Sequence, residues 1–143
     1  MIEIESRELA DIPVLHAYPV GQKDTPLPCV IFYHGFTSSS LVYSYFAVAL
    51  AQAGLRVIMP DAPDHGSRFS GDAARRLNQF WQILLQSMQE FTTLRAAIAE
   101  ENWLLDDRLA VGGASMGAMT ALGITARHPT VRCTASIFKH AEC

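Results

Sequence analysis

Three short runs constrain this chain most: Cys29-Val30-Ile31-Phe32-Tyr33, Arg56-Val57-Ile58-Met59 and Leu109-Ala110-Val111. Each is β-prone without polar alternation, the signature of a strand covered on both faces. Each ends abruptly, at His34-Gly35, Pro60 and Gly112-Gly113. Helical patterns lie between them. Leu41 to Ala53 is one, with Ser38, Ser39 or Ser40 as its cap and Gly54 as its stop. Ala73 to Glu101 is the longest, with Phe80, Ile83, Leu84, Met88, Phe91, Leu94 and Ile98 recurring on one core-facing stripe. Asp106 and Asp107 mark a turn before the third strand. Met116 to Arg127 reads as a small-residue helix closed by His128-Pro129, and Val131 to Phe138 opens a fourth buried strand. Strands alternating with helices imply right-handed crossovers and a mainly parallel sheet with helices on both faces. The fold class is α/β.

The start of the chain reads differently. Ile2 and Ile4 alternate with Glu3 and Glu5, the period of a half-exposed strand, and Ile12 to Tyr18 is its hairpin partner, giving an antiparallel N-terminal edge. At 143 residues, half of them apolar, one domain over 1–143 is expected. The 11 basic and 14 acidic side chains are scattered, so no basic stripe points to nucleic acid or a lipid surface, and a small, mostly uncharged partner fits better. Cys29, Cys133 and Cys143 are odd in number and lie in or beside apolar segments, which argues against a disulfide framework and for a reducing compartment. Glu3 and Glu5 stand where a signal peptide needs a basic end, and no run approaches the ~18 apolar residues of a membrane span. A soluble cytoplasmic protein is expected.

Three strand-end loops carry the candidate chemistry. In Gly112-Gly113-Ala114-Ser115-Met116-Gly117, a serine stands between two glycines in the pattern G-x-S-x-G, after a β-prone run and before a helix. A sharp strand-to-helix turn exposes the serine oxygen, and it requires very small residues two before and two after, here Gly113 and Gly117. Ser115 is therefore the candidate nucleophile, with helix N–H groups aimed where negative charge would develop. His34-Gly35-Phe36 ends an earlier parallel strand, so it converges on the same sheet edge. The backbone N–H groups of Phe36 and Met116 are the candidate oxyanion donors, and His34 is expected to hydrogen-bond within its loop. Asp61-Ala62-Pro63-Asp64-His65-Gly66 is the third loop. Asp61 and His65 are expected to bond backbone groups and shape the site edge; the alternative is a metal-dependent hydrolase using His34, Asp61, Asp64 and His65. Phe36, Phe69 and Met119 are candidates for an acyl pocket or for ordinary core.

HGFTSS after CVIFY, DAPDHGSR after RVIMP and GGASMG after RLAV, in this order and spacing, resemble the amino-terminal half of a bacterial α/β-hydrolase-fold esterase. The likeness is to small carboxylesterases related to dienelactone hydrolases and prolyl-oligopeptidase-type serine hydrolases, and it covers Met1 to about Ser136. It implies an acyl-serine intermediate on Ser115, an oxyanion held by the amides of Phe36 and Met116, carboxylic ester or acyl thioester substrates, and no metal or organic cofactor. The resemblance also implies an acid and a histidine base beyond the nucleophile, where only His128, His140 and Glu142 stand. His128 is at the far end of the helix that follows Ser115, about 20 Å away. His140 and Glu142 lie in IFKHAEC, whose residues 139–143 do not resemble the family. The expectation is thus a shortened hydrolase, inactive or weak, whose unpaired sheet edge favours self-association. A non-catalytic interaction fragment is the remaining alternative.

Overall fold

The computed structural model describes residues 1–131 and the backbone of 133–136. Six strands form one sheet: β1 Ile2–Leu9, β2 Ile12–Pro19, β3 Leu27–Tyr33, β4 Arg56–Pro60, β5 Leu104–Gly113 and β6 Cys133–Ser136, in the spatial order β1-β2-β4-β3-β5-β6. The β1–β2 hairpin is antiparallel, and β2 also meets β4 antiparallel; β4, β3, β5 and β6 then run parallel to one another. The expected antiparallel N-terminal edge on a mainly parallel sheet is what the chain forms. The fourth strand is described over Cys133–Ser136; the remainder of that run and the tail 139–143, with His140, Glu142 and Cys143, lie outside the described residues.

The continuous apolar runs are buried on both faces because each contributes alternately to two cores. Val14, Ile31 and Ile58 point toward one side, where they meet Phe91, Leu94, Ile98 and Ile124; Leu15, Phe32, Val57 and Met59 point to the other, against Ala47 and Ala51. The first core lies under α3 (Phe80–Glu100) and α4 (Met116–Arg127), and the second under α1 (Ser44–Gln52). Helices therefore cover both faces.

Three expectations change at element boundaries. Helix α1 begins at Ser44, not Leu41, because residues 40–43 form turns; Ser39 Oγ accepts the N–H of Val42 at 3.4 Å there, and no side chain caps the helix itself. The long helix is divided: α2 (Ala73–Leu77) is capped by Asp72, whose carboxylate accepts the N–H of Arg75 at 2.9 Å, and Asn78-Gln79 turn before α3 starts. None of the α2 residues is buried, so no packing extends the long stripe into it. Strand β5 is longer than Leu109–Val111 and contains the expected turn. Leu27 pairs with Leu104 and Cys29 with Leu109, so the residues between bulge out, with Asp106 and Asp107 at φ of 51° and 56°. Short polar side chains tolerate this left-handed backbone best among non-glycine residues.

Cys29, in the centre of β3, is a free buried thiol that burial pushes up to about 12. No helix among the described residues is long and apolar enough to cross a membrane.

Candidate active site

Three parallel strands deliver the site loops to one edge of the sheet: β3 leads to His34, β4 to Asp61 and β5 to Ser115. Ser115 occupies the turn between β5 and α4 at φ 55° and ψ −115°, a left-sided backbone conformation that costs a non-glycine residue ~1–3 kcal/mol. Its side chain is exposed. The flanking glycines are steric requirements. A Cβ on Gly117 would sit 2.0 Å from the carbonyl oxygen of Tyr33, and one on Gly113 would sit 2.3 Å from the carbonyl carbon of Gly117. The turn thus packs α4 directly against the end of β3, a contact also closed by the Ala114 N–H bond to Tyr33 O at 3.1 Å.

The His34 loop lies against this turn, since a Cβ on Gly35 would come within 3.5 Å of both Ser115 Cβ and Ala114 O. Among the described residues, neither the N–H of Phe36 nor that of Met116 has an acceptor. Met116 is the first residue of α4, where the N–H groups of a helix are left free and the helix dipole favours negative charge.

His34 and His65 bind the first loop to the second reciprocally. The N–H of Ala62 donates to His34 Nε2 at 3.0 Å, and the N–H of Thr37 donates to His65 Nε2 at 2.8 Å. An imidazole nitrogen that accepts carries no proton, so each ring holds its proton on Nδ1 and donates from there, His34 to Gly35 O at 2.8 Å and His65 to Pro63 O at 2.9 Å. Burial holds both pKa values below the ordinary histidine value, outweighing the hydrogen bonds to Gly35 and Pro63 that pull the other way. Both rings are neutral, with both nitrogens of each engaged.

Asp61 fastens a third segment. Burial works to raise its pKa, but the Ser40 and Ser67 hydrogen bonds prevail and hold it below the ordinary carboxylate value. It accepts from Ser40 N–H at 3.0 Å, Ser67 N–H at 3.2 Å and Ser67 Oγ at 2.9 Å. Gly66 sits at φ 54°, and a Cβ there would lie 2.5 Å from that carboxylate, so glycine alone fits. Arg68 closes the rim with a two-pronged ion pair to Glu90 on α3, both contacts at 2.8 Å. These engagements correct the metal reading. The lone pairs that His34 and His65 would offer a metal are taken by amides, and among the described residues no group of three or more His, Cys, Asp or Glu is placed to hold an ion.

A family model described as serine aminopeptidase, S33, matches residues 24–139 of this chain, which include all three loops. The chain belongs to the serine aminopeptidase S33 family. Within the S33 chain's relatives, Esterase YjfP of Escherichia coli (strain K12) is 99% identical over 137 residues, 96% of this chain and 55% of the relative. YitV of Bacillus subtilis (strain 168) is 33% identical over 138 residues, 96% of this chain and 54% of the relative. The chain spans about half the length of the curated relatives it matches. Among solved structures, a cold-adapted esterase from an Arctic intertidal metagenomic library superposes with a TM-score of 0.71 at 22% identity, covering 94% of this chain and 59% of that one. The fold is that of the α/β-hydrolases, in part.

In this S33 chain the sequence-predicted residues do not all meet. Ser115, Gly35, Phe36, Met116, His34, Asp61 and His65 share the site edge. Phe36 packs edge-on against Phe80 at 5.0 Å, beside the cluster of Ile83, Leu84 and Met116. Phe69 instead lies exposed under the guanidinium of Arg76 at 4.2 Å, and Met119 is exposed on α4. His128 follows the last turn of α4, thirteen residues from Ser115, with its ring 4.9 Å from Phe91. Ser40, a cap candidate by sequence, instead gives its N–H to Asp61, and nothing in the sequence signals the roles of Ser67, Arg68 and Glu90; the serines of SSSL and HGSR flank the recognised loops, but no spacing rule ties them to Asp61. A cleft of about 500 Å³ opens between the β1–β2 hairpin, residues 39–41, and Asp61, Gly66 and Ser67, and Ser115 does not line it.

Proposed function

We propose that this chain carries the nucleophile and oxyanion donors of a serine carboxylesterase. The backbone of Ser115 is the observation that supports it most. A strained, exposed serine whose neighbours at both second positions cannot bear a side chain is costly as architecture and useful as chemistry. On this reading Ser115 Oγ adds to the acyl carbon of an ester while a base takes its proton. The carbonyl oxygen becomes an oxyanion facing the N–H groups of Phe36 and Met116. Collapse breaks the bond to the alcohol oxygen, which leaves with the proton, and water then releases the acid from the acyl-serine.

No described histidine is free to be that base. His34 and His65 are committed to loop amides, His16 is buried against Arg56, and His128 stands a helix length away. We infer that the base and its acid belong to the part of the longer relatives beyond this match, and that the 143-residue chain alone hydrolyses esters weakly or not at all. Oxyanion donors and binding alone give only residual catalysis over water. The same reading leaves the outer side of β6 unpaired among the described residues, and self-association through it would appear as oligomers on sizing.

The experiment uses full-length Esterase YjfP. A fluorophosphonate should label the serine equivalent to Ser115, and Ser115→Ala should abolish both labelling and ester turnover, with chelators having no effect. Undiminished turnover in that variant would sink the assignment. The 143-residue chain should label slowly, if at all.

A further inference from the structure

A trans peptide points its C=O and N–H in opposite directions, so whatever fixes the carbonyl also fixes the donor. The N–H of Phe36 belongs to the peptide unit whose carbonyl is that of Gly35. That carbonyl accepts two hydrogen bonds, from His34 Nδ1–H at 2.8 Å and from Ser38 N–H at 3.1 Å. Bonds accepted at the oxygen orient the plane and polarise the unit, making its N–H a stronger donor. A neutral imidazole donates from Nδ1 only while Nε2 is the bare nitrogen, and the Ala62 N–H, donating to Nε2 at 3.0 Å, selects that tautomer. The next peptide unit is held too, by the Thr37 N–H bond to His65 Nε2 at 2.8 Å. Thr37 itself is kept at φ 66°. Phe36 therefore sits between two peptide planes, both gripped by imidazoles, while its own N–H has no partner among the described residues.

We propose that His34 is a positioning residue for oxyanion stabilisation: its Nδ1–H, bonded to Gly35 O, aims and polarises the Gly35–Phe36 peptide so that Phe36 N–H meets the developing negative charge. This rests on the serine-esterase reading above. It differs from a tether role, in which His34 only ties its loop to Ala62 and the Nε2 bond is the one that matters.

Two substitutions in full-length Esterase YjfP, at the equivalent histidine, separate these roles. Asparagine places an amide N–H where Nδ1–H stood and loses the Ala62 bond; glutamine places an oxygen where Nε2 stood and loses the Gly35 bond. His34→Asn should retain kcat within ~10-fold, whereas His34→Gln should lower it roughly 100-fold, the scale of a lost oxyanion donor, with KM changed less than ~3-fold in both. Equal losses of kcat, a better glutamine variant, or an effect on KM alone would overturn the proposal. Melting temperatures within a few degrees of the parent show that the variants are folded. If either fails to fold, imidazole ¹⁵N shifts of full-length Esterase YjfP decide: a ring protonated at Nδ1 is required, and a neutral ring protonated only at Nε2 refutes it. A Ser115→Ala variant with full activity would remove the underlying esterase reading instead, so the two failures are distinguishable.

Discussion

The two ends of the central strands both bury histidine, and they treat hydrogen-bonding capacity in opposite ways. At the start of β4, Arg56 is fully buried with no carboxylate partner among the described residues. Its guanidinium instead donates to the carbonyls of Trp103, Lys23, Gln22 and Thr25 and, from Nη1, to His16 Nε2 at 2.8 Å. His16 stacks on Trp103 with centroids 4.2 Å apart and hands its Nδ1–H to Glu5 at 2.7 Å. Every N–H of the Arg56 guanidinium has an acceptor, although the indole N–H of Trp103 beside it has none among the described residues. At the opposite end, the loops after β3, β4 and β5 are equally well tied by His34, His65 and Asp61, yet two amides at the elbow are left open. Satisfying all the donors of a buried cation stabilises a fold; a rigid frame around unsatisfied backbone donors stores capacity for a ligand's charge.

This contrast can be broken at either end. The largest effect belongs to the elbow, where Ser115→Ala should reduce ester turnover in the full-length protein by about 10⁴-fold or more with little change in urea midpoint. At Gly117, alanine should cost ~3 kcal/mol or more, because its Cβ would meet Tyr33 backbone rather than a yielding side chain; chemical denaturation measures this. At the other end, Arg56→Met should destabilise by about 3 kcal/mol, since several buried carbonyls and His16 lose their donor while activity per folded molecule is unaffected.

A pH effect follows from the same cluster. Burial, helped by Arg56, holds His16 down at about 4 against the upward pull of Glu5. The unfolded chain therefore binds a proton more readily between about pH 4 and 6.5 than the native state does. Its contribution is fully present above pH 6.5 and is lost as pH falls toward 4, by at most ~3 kcal/mol. Urea titrations at pH 7 and 4.5 should show the loss, and His16→Gln should shrink it. The smallest change is expected at Arg7, whose partly exposed ion pairs with Glu101 at 3.0 Å and Glu5 at 3.6 Å should yield under ~1 kcal/mol when Arg7 becomes glutamine.

Periodicity made most of the fold legible. The runs at Cys29, Arg56 and Leu109 declare buried strands by composition alone, and the Ile2/Glu3 alternation declares the half-exposed edge. What escaped depends on tertiary contact. The helical pattern through Asn78-Gln79 contains no glycine or proline, so nothing local announces that α2 is too exposed to join α3. Asp106 and Asp107 suggested a turn, but only pairing with β3 turns that into a bulge within one strand. At the site, Gly113, Gly117 and Gly35 were readable because steric need leaves glycine in the sequence. The reciprocal histidine bonds were not, since each joins residues 28 positions apart through one ring nitrogen, and no residue pattern encodes a tautomer. By sequence Arg56 reads merely as the first residue of a strand; a cation buried on carbonyls leaves no acidic neighbour to betray it.

Cys29 gives the molecule an internal clock. Its thiol is shielded in a strand flanked on both sides, and burial holds it protonated far above neutrality. An alkylating reagent at pH 7.5 therefore has nothing to react with at this position until β3 separates from its neighbours. The rate at which the peptide containing Cys29 gains mass, followed by mass spectrometry, should count the openings of the sheet's centre one molecule at a time, without denaturant and without an assay for activity.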